Sequence, residues 1–309
     1  MEFLFPASGV QTPIWLPPLV AFVVSFLTSM VGVSGAFLLL PFQMSVLGFV
    51  SPAVSPTNMV YNIVAIPSGV YRYIREGRML WSLTWLIVAG SLPGVVVGGF
   101  VRLNYLYDVR PFSAFAGCVL LYIGGRLFAD LLPSRNTADP TPTAAAAGTE
   151  PTSGHWTVEN PSFDWRSLAF RFQGREHRCS VPGVFGLSLV VGVVGGVYGI
   201  GGGAIIAPVL VAIYRLPTHA VAGATLMGTF STCIVGLLYF QIVAASYAES
   251  GLDVAPDWLL GALFGLGGLA GMYVGARTQR FVPAFWLKLM LSIILLGVAL
   301  RYLTGFLLG

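Results

Sequence analysis

Long apolar runs separated by short polar turns dominate this chain, falling at about 14–42, 53–71, 80–101, 111–132, 183–214, 218–247, 257–276 and 283–308. Roughly 20 apolar residues cross the hydrocarbon core of a bilayer as a helix. Only helices or closed barrels can cross it, because every backbone polar group must find its partner inside the structure. The runs lack the period-two alternation of a barrel strand, so the pattern predicts an all-α polytopic membrane fold. Two runs, the first and the fifth, are interrupted by glycine and then by proline.

Those interruptions are related. Gly32-Val33-Ser34-Gly35 with Pro41 matches Gly199-Ile200-Gly201-Gly202 with Pro208, and the same offset pairs Val54 with Val221, Ser55 with Ala222, Thr57 with Ala224 and Asn58 with Thr225. Further on, Gly94 and Gly98 recur as Gly271 and Gly275 after an inserted loop near 246–256, and Arg126 finds Arg301. The chain thus divides into a first membrane repeat (1–132), a linker (133–181) and a second membrane repeat (182–309). Each repeat is expected to hold a glycine-broken first helix and three further helices.

Within the linker, 136–154 is rich in Pro, Thr and Ala and is expected to be disordered. The part from 165 to 178 carries Arg166, Arg171, Arg175 and Arg178 among aromatics, the pattern of a strap on the membrane surface. Positive charge marks the cytoplasmic side. Arg72, Arg75 and Arg78 place their loop inside, as the linker arginines from Arg135 onward do for the linker and Arg277 and Arg280 do for theirs. Glu249, Asp253 and Asp257 suit the outside. Equivalent loops of the two repeats then lie on opposite sides. An inverted repeat satisfies this if each half crosses an odd number of times and its broken segment folds as a re-entrant hairpin. Arg102 and Arg110, on the outer side, run against that scheme.

Composition narrows the class. The 309 residues are 56% hydrophobic and 9% charged, against roughly 25% charged in an average soluble domain. The arginines sit in short loops and form no stripe, which excludes a nucleic-acid partner. Cys118, Cys179 and Cys233 show no metal-ligand spacing, so neither a metal nor another cofactor is expected. Residues 1–13 hold no Lys or Arg, so a cleavable signal peptide is not expected.

Paired broken helices at corresponding places of two halves point to a transporter binding site near the bilayer midplane. Glycine lets the chain leave helical geometry, and the N–H groups it frees can line a cavity where the dipole of the next half-helix attracts an anion. Gly199, Gly201, Gly202 and Gly203 ahead of 204–214 fit this, as do Gly32, Ser34 and Gly35 ahead of 36–44. Close helix packing through small residues is the competing explanation. The following run adds Thr57, Asn58 and Asn62 in one half, and Thr225 and Thr229 in the other. Hydroxyls and amides can donate to an oxyanion, although serine and threonine often bond back to their own helix. Asp and Glu are missing from the interior of the apolar runs, with Asp130 and Asp257 falling at the ends of two of them, so a proton or sodium pathway of the usual acidic kind is not expected. His219, beside Pro217, and Arg215 read as residues of a segment edge, and Lys288 as an interfacial lysine.

At these residues a resemblance emerges. Gly199-Ile200-Gly201-Gly202-Gly203 with Pro208, Ala222-Gly223-Ala224-Thr225, the arginine loop leading to Trp81, and Leu92-Pro93-Gly94 to Gly98 resemble the TauE/SafE sulfite exporter family. The resemblance covers nearly the whole chain outside 133–181. It implies a multi-pass plasma-membrane permease, with a cytoplasmic linker, for small sulfur-containing anions such as sulfite or sulfonates. By the resemblance the two breaks with Thr57, Asn58 and Thr225 line the site, and alternating access rocks one half against the other. The implied partners are a small anionic solute and the lipid bilayer, with a homodimer left open. The first half departs from the pattern in having Ser34 and Ala36 where the second half has glycines.

Two rivals stand beside it. Gly32-Val33-Ser34-Gly35 reads as the motif of an intramembrane serine protease, but that chemistry needs a base beside the serine. The histidines are His155, His177 and His219, and the counterpart of Ser34 is Gly201, so the break does not depend on a nucleophile. A passive anion channel shares every feature above and differs only in saturation and counterflow.

Overall fold

In the computed structural model the described residues are 3–31, 34–75, 77, 79–131, 159–172, 175–214, 216, 218–248, 252–278 and 284–308. Gly32 lies outside them, as do Arg78, Arg135, the 136–154 stretch with His155 beyond it, Arg215, Glu249 and Arg280. The helices are α1 (Leu16–Val31), α2 (Ala36–Ser45), α3 (Val54–Ala65), α4 (Pro67–Arg75), α5 (Trp81–Asn104), α6 (Val109–Ala129), α7 (Val181–Tyr198), α8 (Gly203–Tyr214), α9 (Thr218–Ala248), α10 (Trp258–Thr278) and α11 (Ala284–Leu308). Six of them, α5, α6, α7, α9, α10 and α11, contain stretches long and apolar enough to cross a membrane. Exposed tryptophans stand at helix starts, with Trp15 before α1, Trp81 on α5, Trp258 on α10 and Trp286 on α11, the level at which an aromatic ring spans water and lipid. The second apolar run bends at Pro67, where the ring cannot donate to the helix ladder, so it forms α3 and α4 rather than one helix.

Parallel helix pairs exchanged between the two halves of the chain hold the core together. α5 lies parallel to α7: Gly90 faces Phe185 and Ser188, Gly94 faces Leu189 and Gly192, and Gly98 faces Val193 and Gly196. α10 lies parallel to α1 in the same way, with Gly267 against Pro18, Gly271 against Phe22 and Gly275 against Phe26. At Gly94, Gly98, Gly267 and Gly271 a Cβ would collide with the facing carbonyl oxygen. Lipid supplies no hydrophobic drive between helices, so close backbone approach through small residues is how such pairs gain attraction. Other helix pairs run antiparallel. Along α3, α4 and α9, Met59 meets Gly236, Gly69 meets Leu226 and Tyr73 meets Gly223. Along α6 and α11, Gly117 meets Tyr302 and Gly124 meets Leu295, and Ser292 donates to the Gly124 carbonyl at 3.0 Å.

Both short helices turn back. α8 runs antiparallel to α9, with Gly201 against Thr229 and Gly203 against Thr225, and Tyr214 near its end returns beside Gly183 at the start of α7. α2 runs antiparallel to α3, with Ser34 at Asn62 and the Ala36 carbonyl at Asn58.

Two small antiparallel sheets depart from the all-helical expectation. β1 (Phe3–Leu4) and β2 (Gln11–Thr12) form a hairpin, and Ser8 beyond β1 donates to the Asp257 carboxylate at 2.7 Å. β3 (Glu159–Phe163), β4 (Ser167–Phe172) and β5 (Arg175–Ser180) form a three-stranded sheet where a surface strap was expected. Leu168 and Phe170, alternate residues of β4, are buried together with Cys179 and join the helical core, which the sheet could not do as a loose strap. Burial pushes the Cys179 thiol up to about 11, so it packs as a small apolar side chain and stays unreactive near neutral pH. β5 runs directly into α7, whose first turn is capped by Ser180 accepting from Gly183.

Gly94→Val should lose about 1–3 kcal/mol through overpacking, read as a lowered Tm in detergent. Gly186→Ala, where nothing lies within 4 Å of the added Cβ, should leave Tm unchanged. Equal Tm values for both variants would contradict the close α5–α7 contact.

Candidate functional site

The second break is built from left-handed backbone. α7 ends at a C-cap Gly199 with φ 83°, and Gly201 and Gly202 follow with φ 68° and 80°. Residues with a Cβ rarely hold such angles. Space imposes the same choice, since a Cβ at Gly199 would strike the Ser55 carbonyl and one at Gly203 the Thr229 hydroxyl. The freed carbonyls are met by α9 and α3. Thr232 donates to the Gly201 oxygen at 2.7 Å and Ser55 to the Val197 oxygen at 2.9 Å. The amides of Ile205 and Ile206 close the first turn of α8 on the Gly202 oxygen.

The first break is built differently. Gly35 caps α2 with φ −68°, and a side chain does part of the work: Ser34 donates to Asn62 Oδ1 at 3.1 Å while its oxygen accepts the Ala36 amide at 3.4 Å. A Cβ on Gly35 would stand 2.8 Å from the Tyr61 hydroxyl, which itself shares a hydrogen bond with Ser25 at 2.8 Å.

One residue joins the two breaks. Asn58, fully buried, donates from Nδ2 to the Ala36 oxygen at 3.0 Å and to the Gly199 oxygen at 3.2 Å. Its Oδ1 accepts from Gln43 Nε2 at 3.5 Å. Tyr198, the last residue of α7, adds a second tie by donating to the Phe37 oxygen at 2.9 Å. Two buried polar atoms beside this knot, Asn62 Nδ2 and Gln43 Oε1, have no hydrogen-bond partner. An unpaired buried polar atom costs about 1–3 kcal/mol, and the neighbour of Asn62 on the other side is the weakly accepting Cys233 thiol.

Around the second break the space is closed. A cavity of about 10 Å³ touches Gly201, Gly202, Gly203, Thr225, Thr229, Ser91 and Ser188, room for about one water molecule. The hydroxyls there spend their protons on their own helices: Thr225 on Val221, Thr229 on Thr225, Ser91 on Ile87 and Ser188 on Val184. They present lone pairs to the cavity, so donors for an anion must come from backbone N–H groups or from an amide such as Asn62.

Of the residues expected from sequence, Ser34, Gly35, Asn58, Asn62 and Gly199 thus come together, as do Gly201, Gly202, Gly203, Thr225 and Thr229. Thr57 turns elsewhere: its hydroxyl accepts the Asp257 amide at 2.9 Å and steadies the loop before α10. Sequence reasoning missed Gln43, Ser55, Tyr198 and the two cavity serines. An amide inside the apolar run of α2 was the available signal for Gln43. The hydrogen-bond partners of Ser34 offer no general base, and His177 stacks on Phe170 in the linker sheet.

Asn58→Ala should cost about 1–3 kcal/mol by leaving buried carbonyls unpaired, seen as a lower Tm in detergent at every pH. Asn58→Asp should match it at alkaline pH, where a carboxylate faces two carbonyls. It should recover as pH falls, because protonation restores one donor. A pH-independent deficit in Asn58→Asp would contradict the two donor bonds.

No curated protein and no solved structure matches this chain. The sequence model of the sulfite exporter TauE/SafE family matches residues 18–302, a span that takes in both breaks and the helices that hold them. With six helices fit to cross a bilayer, the chain is a multi-pass membrane protein belonging to the sulfite exporter TauE/SafE family, a family of transporters.

Proposed function

We propose that the protein is a plasma-membrane permease that moves small sulfur-containing oxyanions, sulfite or sulfonates, by alternating access between two inverted halves. The observation that carries this reading is the Asn58 amide bridging both breaks beside the unpartnered Asn62 Nδ2. A site without a charged side chain among its lining residues, with the Asn62 amide and backbone N–H groups as its donors, suits an oxyanion, and it lies where two mobile halves would meet.

The inverted relation draws support from the packing. A two-fold axis in the membrane plane turns the α5–α7 pair into the α10–α1 pair, and makes α6 antiparallel to its counterpart α11, as the contacts run. The turned-back α2 and α8 then serve as re-entrant halves of the first repeat (1–132) and the second (182–309), with the linker between. Arginine counting places the Arg72–Arg75 end and the linker in the cytoplasm. Arg102 no longer weighs against this orientation, because it is buried and is not a loop charge. The small space at the second break, with room for about one water molecule, favours a carrier over an open pore. The site residues on this reading are Ser34, Gly35, Asn58, Asn62, Gly199, Gly201, Gly202, Gly203, Thr225 and Thr229.

Proteoliposomes holding the wild type should take up sulfite or sulfoacetate saturably and show counterflow. Gly202→Leu, forced into a left-handed backbone, should reduce flux at least tenfold while the protein stays inserted. Non-saturable flux without counterflow would mean a channel, and no flux of either anion from correctly inserted protein would remove the substrate class.

A further inference from the structure

Among the described residues, two cations are buried: Lys288, which lies 3.7 Å from the Asp130 carboxylate, and Arg102, which is 0% exposed and has no carboxylate beside it. Arg102 Nε donates to the Ser55 hydroxyl at 3.3 Å, Nη1 donates to the Leu106 carbonyl, and the guanidinium carbon stands 3.7 Å over the centre of the Phe112 ring. Nη2 is buried with no partner.

Each of these contacts is with a neutral group. Because α5 and α7 run parallel, their C-terminal ends meet, and the partial negative charge of both lies beside the guanidinium. The link to α7 runs through one side chain: Ser55 accepts from Arg102 and donates to the Val197 oxygen, two residues before the Gly199 break. Helix ends and a ring face offset part of the desolvation of a buried charge, but only an anion neutralises it. Ser55 and Asn58 lie three apart on one face of α3, so the uncompensated charge stands behind the residue that knots the two breaks. In an interior of low dielectric such a charge acts over many ångströms and is poorly screened by salt.

We propose that Arg102 is the charge-selecting residue of this permease, holding a positive potential at the two breaks that favours solutes in proportion to their negative charge without touching them. The proposal rests on the permease reading above. The carboxylates nearest the core are engaged elsewhere, Asp257 with Ser8 and the Leu260 amide and Asp130 with Lys288, so the counter-charge for the buried arginine is the cargo. Ser55, Leu106 and Phe112 are the groups that position it.

Charge dependence separates this role from a structural one. In proteoliposomes, apparent KM is measured for sulfoacetate, with two negative charges, and methanesulfonate, with one. Arg102→Gln should raise KM on the order of tenfold for each unit of charge, so the preference of sulfoacetate over methanesulfonate falls about tenfold. Arg102→Lys should keep the wild-type preference although it loses bonds to Ser55 and Leu106 and has a lower Tm. Equal KM changes for both anions in Arg102→Gln, or no change, would overturn the proposal while leaving the permease reading intact. Should Arg102→Gln fail to insert, Arg102→Lys decides alone, since collapse of its dianion preference overturns the electrostatic role. Failure of the wild type to move either anion would instead strike the permease reading, and this proposal with it.

Discussion

Carbonyl groups at the broken end of a membrane helix have no water to turn to, and in this protein the side chain that answers the end of α7 also reaches the start of α2. Asn58 gives both amide protons away, one to the start of α2 and one to the end of α7. Most of the local arrangement follows from that demand. α3 must run between the breaks to present Asn58, Ser55 must lie one turn earlier to reach Val197, and Tyr198 must stand where its hydroxyl meets Phe37. Left-handed glycines at 199, 201 and 202 let α7 stop and α8 start within four residues, which no other residue type allows at that spacing. The result is a region held by polar contacts inside an apolar body, where each bond is stronger than it would be in water and each missing one costs more.

Around this knot the helices pair through glycine faces rather than interdigitated large side chains. Gly94 and Gly98 press on α7, while Gly271 and Gly275 press on α1, so each half is braced by the other. Contacts of that kind are made by backbone against backbone, so the two helices of a pair hold together as a unit. Electrostatics adds an asymmetry the repeat does not predict. A buried arginine sits at the meeting ends of α5 and α7, and the Ser55 that anchors it is replaced by Ala222 in the other half.

Much of this was legible before any coordinates, because glycine and proline punctuate a hydrophobic run in ways that survive without neighbours. Six of the apolar runs supply helices long enough to cross a membrane, and Gly94 and Gly271 both lie at close helix contacts. What stayed hidden depends on partners distant in sequence. Arg102 reads as an arginine on the outer side that runs against the charge rule, and only Ser55 and Phe112, from other helices, make it a buried one. Thr57 sits at a matched polar position, yet its hydroxyl answers to Asp257, two hundred residues away. The linker sheet was missed for another reason: the arginines of 165–178 drew the eye to charge, while the alternation of Leu168 and Phe170 carried the strand signal.

The central claim is that the two breaks form one site reached from each side of the membrane in turn. The direct test places a single cysteine at Ser34→Cys in a background where Cys118, Cys179 and Cys233 are replaced, and applies a membrane-impermeant thiol reagent to one face of sealed vesicles at a time. The account predicts labelling from both faces, slowed from both by sulfoacetate. Labelling from one face alone, or labelling that sulfoacetate leaves unchanged, would contradict it.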